Sequence, residues 1–354
     1  MTCKIAVLRG DGIGPEVVEA ALSVLVLCVP IQITEGRIGG DAIDAVGDPL
    51  PAETLDLCLR SDAVLLGAVG GPRWEGPLRA EAGLLRLRRG LGLHSNLRPA
   101  RNLGIETPLR AGLVREADIL VVRDLAGGVY YGEPRGISDE AAFNTWRQTA
   151  DEVRQTARVA FELARRRRRK VTSVDKANVL EASRLWRRVV SEVAATYPDV
   201  DLEHRYVDAA SFELLQAPRR FDVVVTENLF GDILSDELAA VVGSIGLLPS
   251  ASFGAGPSLY EPVHGSAPTL VGGGLANPVG AILSVALLLE HTLRRPDLSR
   301  AVEDAVAAAL QEVRTPDVGG HASSDEVTDA IRRHLSWKRS GAPEETVSST
   351  EWAV

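Results

Sequence analysis

Asp232 and Asp236 lie four residues apart in the stretch "VVVTENLFGDILSDELAAVVG", residues 223–243. The stretch reads as a buried strand running into a helix, with Leu229, Phe230, Ile233, Leu234 and Leu238 on its packed face. The two aspartates then share another face. Like charges so placed repel by about 0.2–0.5 kcal/mol, and a cation between them reverses the sign. The site lies just past a strand's carboxyl end, where open α/β sheets bind ligands. Asp208, which ends the run "LEHRYVD", is a candidate third oxygen ligand. Hard carboxylates with few His or Cys nearby suit Mg²⁺ or Mn²⁺ rather than zinc. On spacing alone, an exposed acidic face accounts for the pair somewhat better.

Three arginines form a second group: Arg88 in "LLRLRRGLGL", Arg98 in "SNLRPA" and Arg123 at the end of "ILVVRD". A guanidinium binds carboxylates bidentately, so three around one cleft would hold a dicarboxylate. Taken singly, each is more often a surface charge. Tyr130 in "GGVYYGEPRG" and Lys176 in "SVDKANVL" form an acid–base candidate pair. Near Arg or a metal, the lysine's pKa falls toward what a base needs. Packing and a salt bridge are the plain alternatives. The loop "LYEPVHGSAPTLVGGGLANP", residues 259–278, combines glycines with His264, Ser266 and Asn277. Exposed backbone N–H groups there would let a flat ring lie close to the chain; a surface loop is the simpler account. Near the N-terminus, "RGDGIGPEV" joins a strand to a helix with Pro15 at its first position. Its pattern is G-x-G-x-G, not the Rossmann G-x-G-x-x-G, and Asp11 would repel a pyrophosphate. A tight turn needing positive φ is as good a reading as any ligand role.

These residues sit at the ends of alternating elements. "KIAVL", "AVLLGAVGG" (63–71), "ILVVRD", "KVTSVD" (170–175), "LEHRYVD" and "DVVVT" (222–226) read as strands, most of them separated by helical patterns. That alternation predicts α/β architecture with a mainly parallel sheet. The glycine-rich, aromatic segment 126–145 reads as a short β arm. The 354 residues suffice for two domains, and a net charge of −9 argues against a general nucleic-acid or membrane-surface binder. The basic run "RRRRRK", 165–170, reads as the solvated end of a helix starting near Glu152. Cys3, Cys28 and Cys58 show neither metal spacing nor a disulfide framework, which points to a reducing cytoplasm. No signal peptide is expected, and the longest apolar run is too short to span a bilayer. Residues 337–354 read as a flexible tail.

The motifs "LRGDGIGPEV", "NLRPA", "GGVYYGEPRG", "SVDKANVLE", "YVDA", "NLFGDILSDE" and "EPVHGSAP…LANP" occur in the order found in the β-decarboxylating dehydrogenases. The chain resembles that isocitrate/isopropylmalate family from residue 4 to about 336. The resemblance implies a two-domain fold that is not Rossmann. Domain one would comprise residues 1–93 and 243–336 and domain two 94–242, with the β arm clasping a second subunit in a homodimer. It implies that Arg88, Arg98 and Arg123 grip the malate carboxylates and that Asp232 and Asp236 bind the metal. Asp208 and Lys176 would come from the neighbouring subunit. Lys176 would take the C2 hydroxyl proton and Tyr130 would protonate the enolate left by CO₂. NAD would lie against Ile13, His264, Gly265, Ser266, Ala267, Thr269 and Asn277.

Family members differ at the third substituent of malate, and the loop "EAGLLRLRR", 81–89, selects it. Isocitrate enzymes place Ser and Asn there. This chain places Leu84 and Leu85, which with Val179 would form an apolar pocket that leaves a γ-carboxylate desolvated. The expected reaction is oxidative decarboxylation of 3-isopropylmalate to 4-methyl-2-oxopentanoate, in leucine biosynthesis. Ala126 in place of the usual Thr, Arg9 in place of Pro, and a shorter loop after "NLRPAR" leave an alternative, a specialised relative acting on another 3-substituted malate. After "GSAP", NAD-using relatives usually carry an acid and NADP-using ones Lys then Tyr. Thr269 and Leu270 match neither, but 269–275 holds no cation for a 2′-phosphate, so NAD is expected.

Overall fold

Runs of β-branched residues such as Val223–Thr226 build part of the sheet. The computed structural model describes residues 2–340. In chain order the strands are β1 (Cys3–Gly10), β2 (Ile31–Glu35), β3 (Ala63–Ala68), β4 (Leu93–Arg101), β5 (Asp118–Asp124), β6 (Arg135–Ile137), β7 (Ala142–Asn144), β8 (Lys170–Asp175), β9 (Asp201–Tyr206), β10 (Val223–Thr226), β11 (Pro249–Gly254) and β12 (Ser258–Pro262). Ten of them form one sheet in the order β2-β1-β3-β12-β11-β4-β5-β10-β8-β9. Its outer parts are parallel. The middle is not, because β11 runs antiparallel to both β12 and β4, and β4 antiparallel to β5. Residues from both chain ends supply β2 through β11 in that order, and the middle of the chain supplies β4 through β9.

Helices cover the sheet. Val279–His291 is apolar nearly all round and buried along most of its length, as expected for a helix packed on every side. It lies against β11 and β12 and against the helices Gly14–Cys28 and Pro296–Glu312. Its Ser284 hydroxyl donates to the Glu261 carbonyl (2.9 Å), which fixes the end of β12. On the β5-β10-β8 part, Ala150–Arg165 and Glu181–Ala194 pack through Phe161, Val153, Trp186 and Val190. A capping box sets the start of the first: Thr149 and Glu152 each hydrogen-bond the other's backbone N–H.

Three expectations change. The basic run is mostly exposed at the helix end, as expected, but Arg167 within it is half-buried and bonds the buried Asp222 carboxylate (2.8 Å), because an acid at 1% exposure requires partners. The last helix, Ser324–Ser340, continues into the segment set aside as a tail, whose remainder, 341–354, lies outside the described residues. The β arm is confined to the small hairpin β6–β7, which leaves Ile137 and Phe143 exposed. Among the described residues no helix is long and apolar enough to cross a membrane. All three cysteines are buried.

Candidate active site

A cleft of about 510 Å³ opens beside the carboxyl end of β3, between the helices Glu81–Gly90 and Asn228–Glu237. Leu84, Leu85, Arg88, Arg98, Arg123, Tyr130 and Asp232 line it, with the turn from Glu261 to Gly265 at one end. None of the three arginines is a surface charge; each is at least 94% buried. Arg123 ends β5. Its Nε and Nη2 donate to Asn228, and its Nη1 lies 2.5 Å from Asp232 Oδ1. Gly231 makes this possible, since a Cβ there would sit 2.6 Å from Arg123 Cγ. Arg98, in β4, donates to Asn96 Oδ1 (2.9 Å), Ser235 Oγ (2.8 Å) and Asp236 Oδ1 (3.0 Å), and stands 3.3 Å from Asp232. Arg88 bonds Glu261 (2.8 Å), while its Nε finds no partner among the described residues.

The electrostatics follow from this crowding. Burial pushes the Asp232 carboxyl up, but the Arg123 and Arg98 guanidiniums outweigh it and hold it below the usual range. Asp236, farther out on the helix, is raised by burial. Tyr130 donates its hydroxyl to Asp232 Oδ2 (2.7 Å), and burial, then that carboxylate, pushes the phenol up to about 12. It is therefore a firmly protonated donor at neutral pH. Burial and the neighbouring Arg98 charge lower Arg123 to about 10.

The packed face of the Asn228–Glu237 helix differs from the sequence reading. Asn228, Gly231, Leu234 and Ser235 are buried, whereas Ile233 is 58% exposed and Leu229 and Phe230 are half-buried. The polar Asn228 and Ser235 take the inner positions because the arginines lie underneath. Asn228, which the sequence reading passed over, stands one turn before Asp232; that spacing is the one signal it carried, since an asparagine there announces no chemistry by itself.

Within one chain Asp236 does not line the cleft, and Lys176, Asp208 and Val179 lie away from it. Lys176, after β8, pairs with Asp208 of the helix Val207–Gln216 (2.6 Å), and neither lines the cleft. Val179 is 65% exposed and does not close the apolar wall that Leu84 and Leu85 form. Among the described residues no three His, Cys, Asp or Glu side chains converge to hold a metal. Asp232 and Asp236 thus offer hard oxygen donors one turn apart, which fit a divalent cation, but the third predicted ligand is absent from their neighbourhood.

The loop after β12 is tied to the N-terminal turn. Gly12 has φ +60°, and a Cβ on it would lie 2.0 Å from the Ser266 carbonyl oxygen. The Ile13 N–H donates to that same oxygen (2.9 Å). Asp11 does not face a ligand. Its buried carboxylate accepts from the N–H groups of Gly40 (2.9 Å), Asp41 (2.8 Å) and Gly70 (2.8 Å). His264 is buried; its Nδ1 meets the Gly265 carbonyl and its Nε2 has no partner among the described residues. Gly265 would have open space around a Cβ, and Ala267 holds a left-handed φ of 39°. Asn277 is committed to Asp317 and to the start of the next helix, while Thr269 is exposed. An unpartnered ring nitrogen beside open backbone fits a flat heteroaromatic ligand.

Comparison with known proteins bears on this geometry. The family model described as isocitrate/isopropylmalate dehydrogenase matches residues 4–331. The chain is 51% identical over 352 residues to the 3-isopropylmalate dehydrogenase of Aquifex aeolicus, with 94% of this chain and 97% of that protein covered. It is 53% identical over 333 residues to the 3-isopropylmalate dehydrogenase of Gloeobacter violaceus, covering 89% and 92%. Among solved structures, isocitrate dehydrogenase from Methylococcus capsulatus superposes with a TM-score of 0.86 at 35% identity, covering 95% of this chain and 99% of that one. A β-decarboxylating dehydrogenase from Thermococcus kodakarensis superposes at 0.82 with 36% identity, covering 98% and 100%.

Proposed function

Because the chain belongs to the isocitrate/isopropylmalate dehydrogenase family, we propose that it oxidatively decarboxylates 3-isopropylmalate to 4-methyl-2-oxopentanoate in leucine biosynthesis, with NAD as oxidant and Mg²⁺ or Mn²⁺ bound. The observation that carries the substrate is the pairing of one apolar wall, Leu84 and Leu85, with three buried arginines in the same cleft. The arginines suit two carboxylates, and the leucines suit an isopropyl group.

The chain's own residues divide the work. Arg88, Arg98 and Arg123 orient the substrate carboxylates. Lys176 removes the C2 hydroxyl proton as hydride leaves C2. After CO₂ departs from C3, Tyr130 returns a proton to that carbon; its bond to Asp232 aims the hydroxyl into the cleft, and its raised pKa keeps it protonated until that step. Asp232, Asp236 and Asp208 would hold the cation, which would polarise the C2 oxygen so that the carbonyl can accept the electron pair left by CO₂. His264, Gly265, Ser266 and Ile13 cradle the NAD. The site takes Lys176 and Asp208 from a second copy of the chain. Their pairing away from the Asp232 cleft supports this, as do the exposed apolar side chains Val179, Phe212, Ile233, Ile137 and Phe143.

Steady-state assays of the full chain with NAD and Mg²⁺ test the reading. kcat/KM for 3-isopropylmalate should exceed that for isocitrate by roughly a hundredfold or more, since a carboxylate against the leucine wall costs about 3 kcal/mol. A preference for isocitrate would refute it.

A further inference from the structure

Three adjacent strands end in buried acids that the chemistry above does not use. Thr226 of β10 pairs in register with Arg123 of β5 on one side and Val174 of β8 on the other. The next residues, Asp124, Glu227 and Asp175, therefore form a row across the sheet's carboxyl end, each with no measurable exposure. Two are well satisfied. Asp175 bonds Arg187 (2.8 and 2.9 Å) and the Ala177 N–H, and Asp124 accepts from Ala126, Gly127, Gln148 and Thr156. Glu227, in the middle, is not. Its Oε2 accepts from Ser183 Oγ (2.7 Å), its Oε1 has no partner among the described residues, and no cation contacts it. A carboxylate buried in this way, between two other acids, is costly unless protonated. Burial, reinforced by Asp175 and Asp124, pushes its carboxyl up to about 8.

The position of this contact gives it a role. Glu227 immediately precedes the Asn228–Glu237 helix, which carries Asp232 and Asp236. Ser183 lies in the first turn of the Glu181–Ala194 helix, which follows the Lys176 segment. We propose that Glu227, held as a neutral acid, is a positioning residue for this reaction: its bond to Ser183 fixes the start of the helix that carries Asp232 and Asp236 against the segment whose Lys176 serves the second copy's site. Ionisation would set a third negative charge between Asp124 and Asp175 and loosen that join. The inference rests on the function proposed above.

The test compares wild type with Glu227→Gln and Ser183→Ala, reading kcat with 3-isopropylmalate and thermal stability from pH 6 to 9.5. Glutamine keeps an acceptor for Ser183 and cannot ionise. The sign follows from the raised pKa: the folded chain retains a proton that the unfolded chain loses from about pH 4.5 upward, so stability declines as pH rises toward 8. In Glu227→Gln that decline should be at most half as steep, and the ratio of kcat at pH 9.5 to kcat at pH 7 should be at least three times the wild-type ratio. Ser183→Ala should lower kcat and leave KM for NAD within twofold. Asp124, raised by burial to about 7, titrates in the same window, so the effect is read from the difference between Glu227→Gln and wild type and not from the wild-type profile alone; the Tyr130 phenol, near 12, lies above it. Glu227→Gln profiles that coincide with wild type in both readouts would overturn the role of Glu227. A wild type inert toward 3-isopropylmalate at every pH would instead overturn the function on which it rests.

Discussion

Replacing Asp11 by alanine isolates the contribution of the N-terminal turn. The carboxylate is 4% exposed and accepts three backbone N–H bonds from two other segments, Gly40 with Asp41 and Gly70. Alanine removes the acceptor and leaves the Gly40 and Gly70 donors buried without partners, while the part-buried Asp41 N–H is able to recruit water. An unsatisfied buried donor costs about 1–3 kcal/mol, so two cost roughly 2–6 kcal/mol. Unfolding entropy near 2.1 cal/mol/K per residue converts this, for a chain of 354 residues, to a fall in Tm of about 3–8 °C. Asp11→Asn keeps one oxygen and should fall between. Scanning calorimetry at pH 7.5 measures both, and the same samples give the kinetic consequence. The turn holds Ser266 through Gly12 and Ile13, so KM for NAD should rise more than KM for 3-isopropylmalate. An Asp11→Ala protein melting within 1 °C of wild type would show that the three bonds do not support the turn. A rise confined to the KM of the malate would show that the turn does not serve the cofactor side.

Two further outcomes test the site. Thr269→Asp supplies an acceptor for ribose hydroxyls and should lower KM for NAD by the equivalent of one hydrogen bond, about 0.5–1.5 kcal/mol, while worsening use of NADP by charge repulsion; unchanged constants for both would remove Thr269 from the cofactor site. Mixing Lys176→Ala with Asp232→Ala protein should restore activity through hybrid dimers that hold one intact site, and no recovery after demonstrated subunit exchange would refute the sharing of sites between chains.

The parallel parts of the sheet were legible because their strands are buried on both faces and read as continuous apolar runs, such as "VVVT" and "AVLLGA". The middle was not. β4 and β11 carry Ser95, Asn96, Ser250 and Ser252 at buried positions, where Asn96 donates to Ser252 Oγ (3.0 Å), so their composition resembles a loop until the partners are known. Arg88, Arg98, Arg123, Tyr130 and Asp232 were readable one by one from residue type and strand ends, and the fold brings them together. What spacing could not supply was their mutual arrangement. In this chain Asp232 contacts two of the arginines and the tyrosine, an array assembled from residues more than a hundred positions apart. The part Asp11 plays in holding its turn was not legible for the same reason, since its three donors lie 29, 30 and 59 residues away.

The buried cysteines give the molecule an internal clock for one of its layers. Burial pushes the Cys3 thiol up to about 11, helped by Asp62, and the Cys58 thiol up to about 12, and Cys28 is buried at the end of the first helix. The thiolate is the species that attacks a thiol reagent, so at neutral pH the folded chain offers such reagents almost nothing. All three cysteines fall within the first 58 residues and none beyond. The rate at which a chromogenic disulfide labels them therefore reports the opening of the β1 and β3 edge of the sheet and its covering helices, separately from any loosening around β5, β8 and β10.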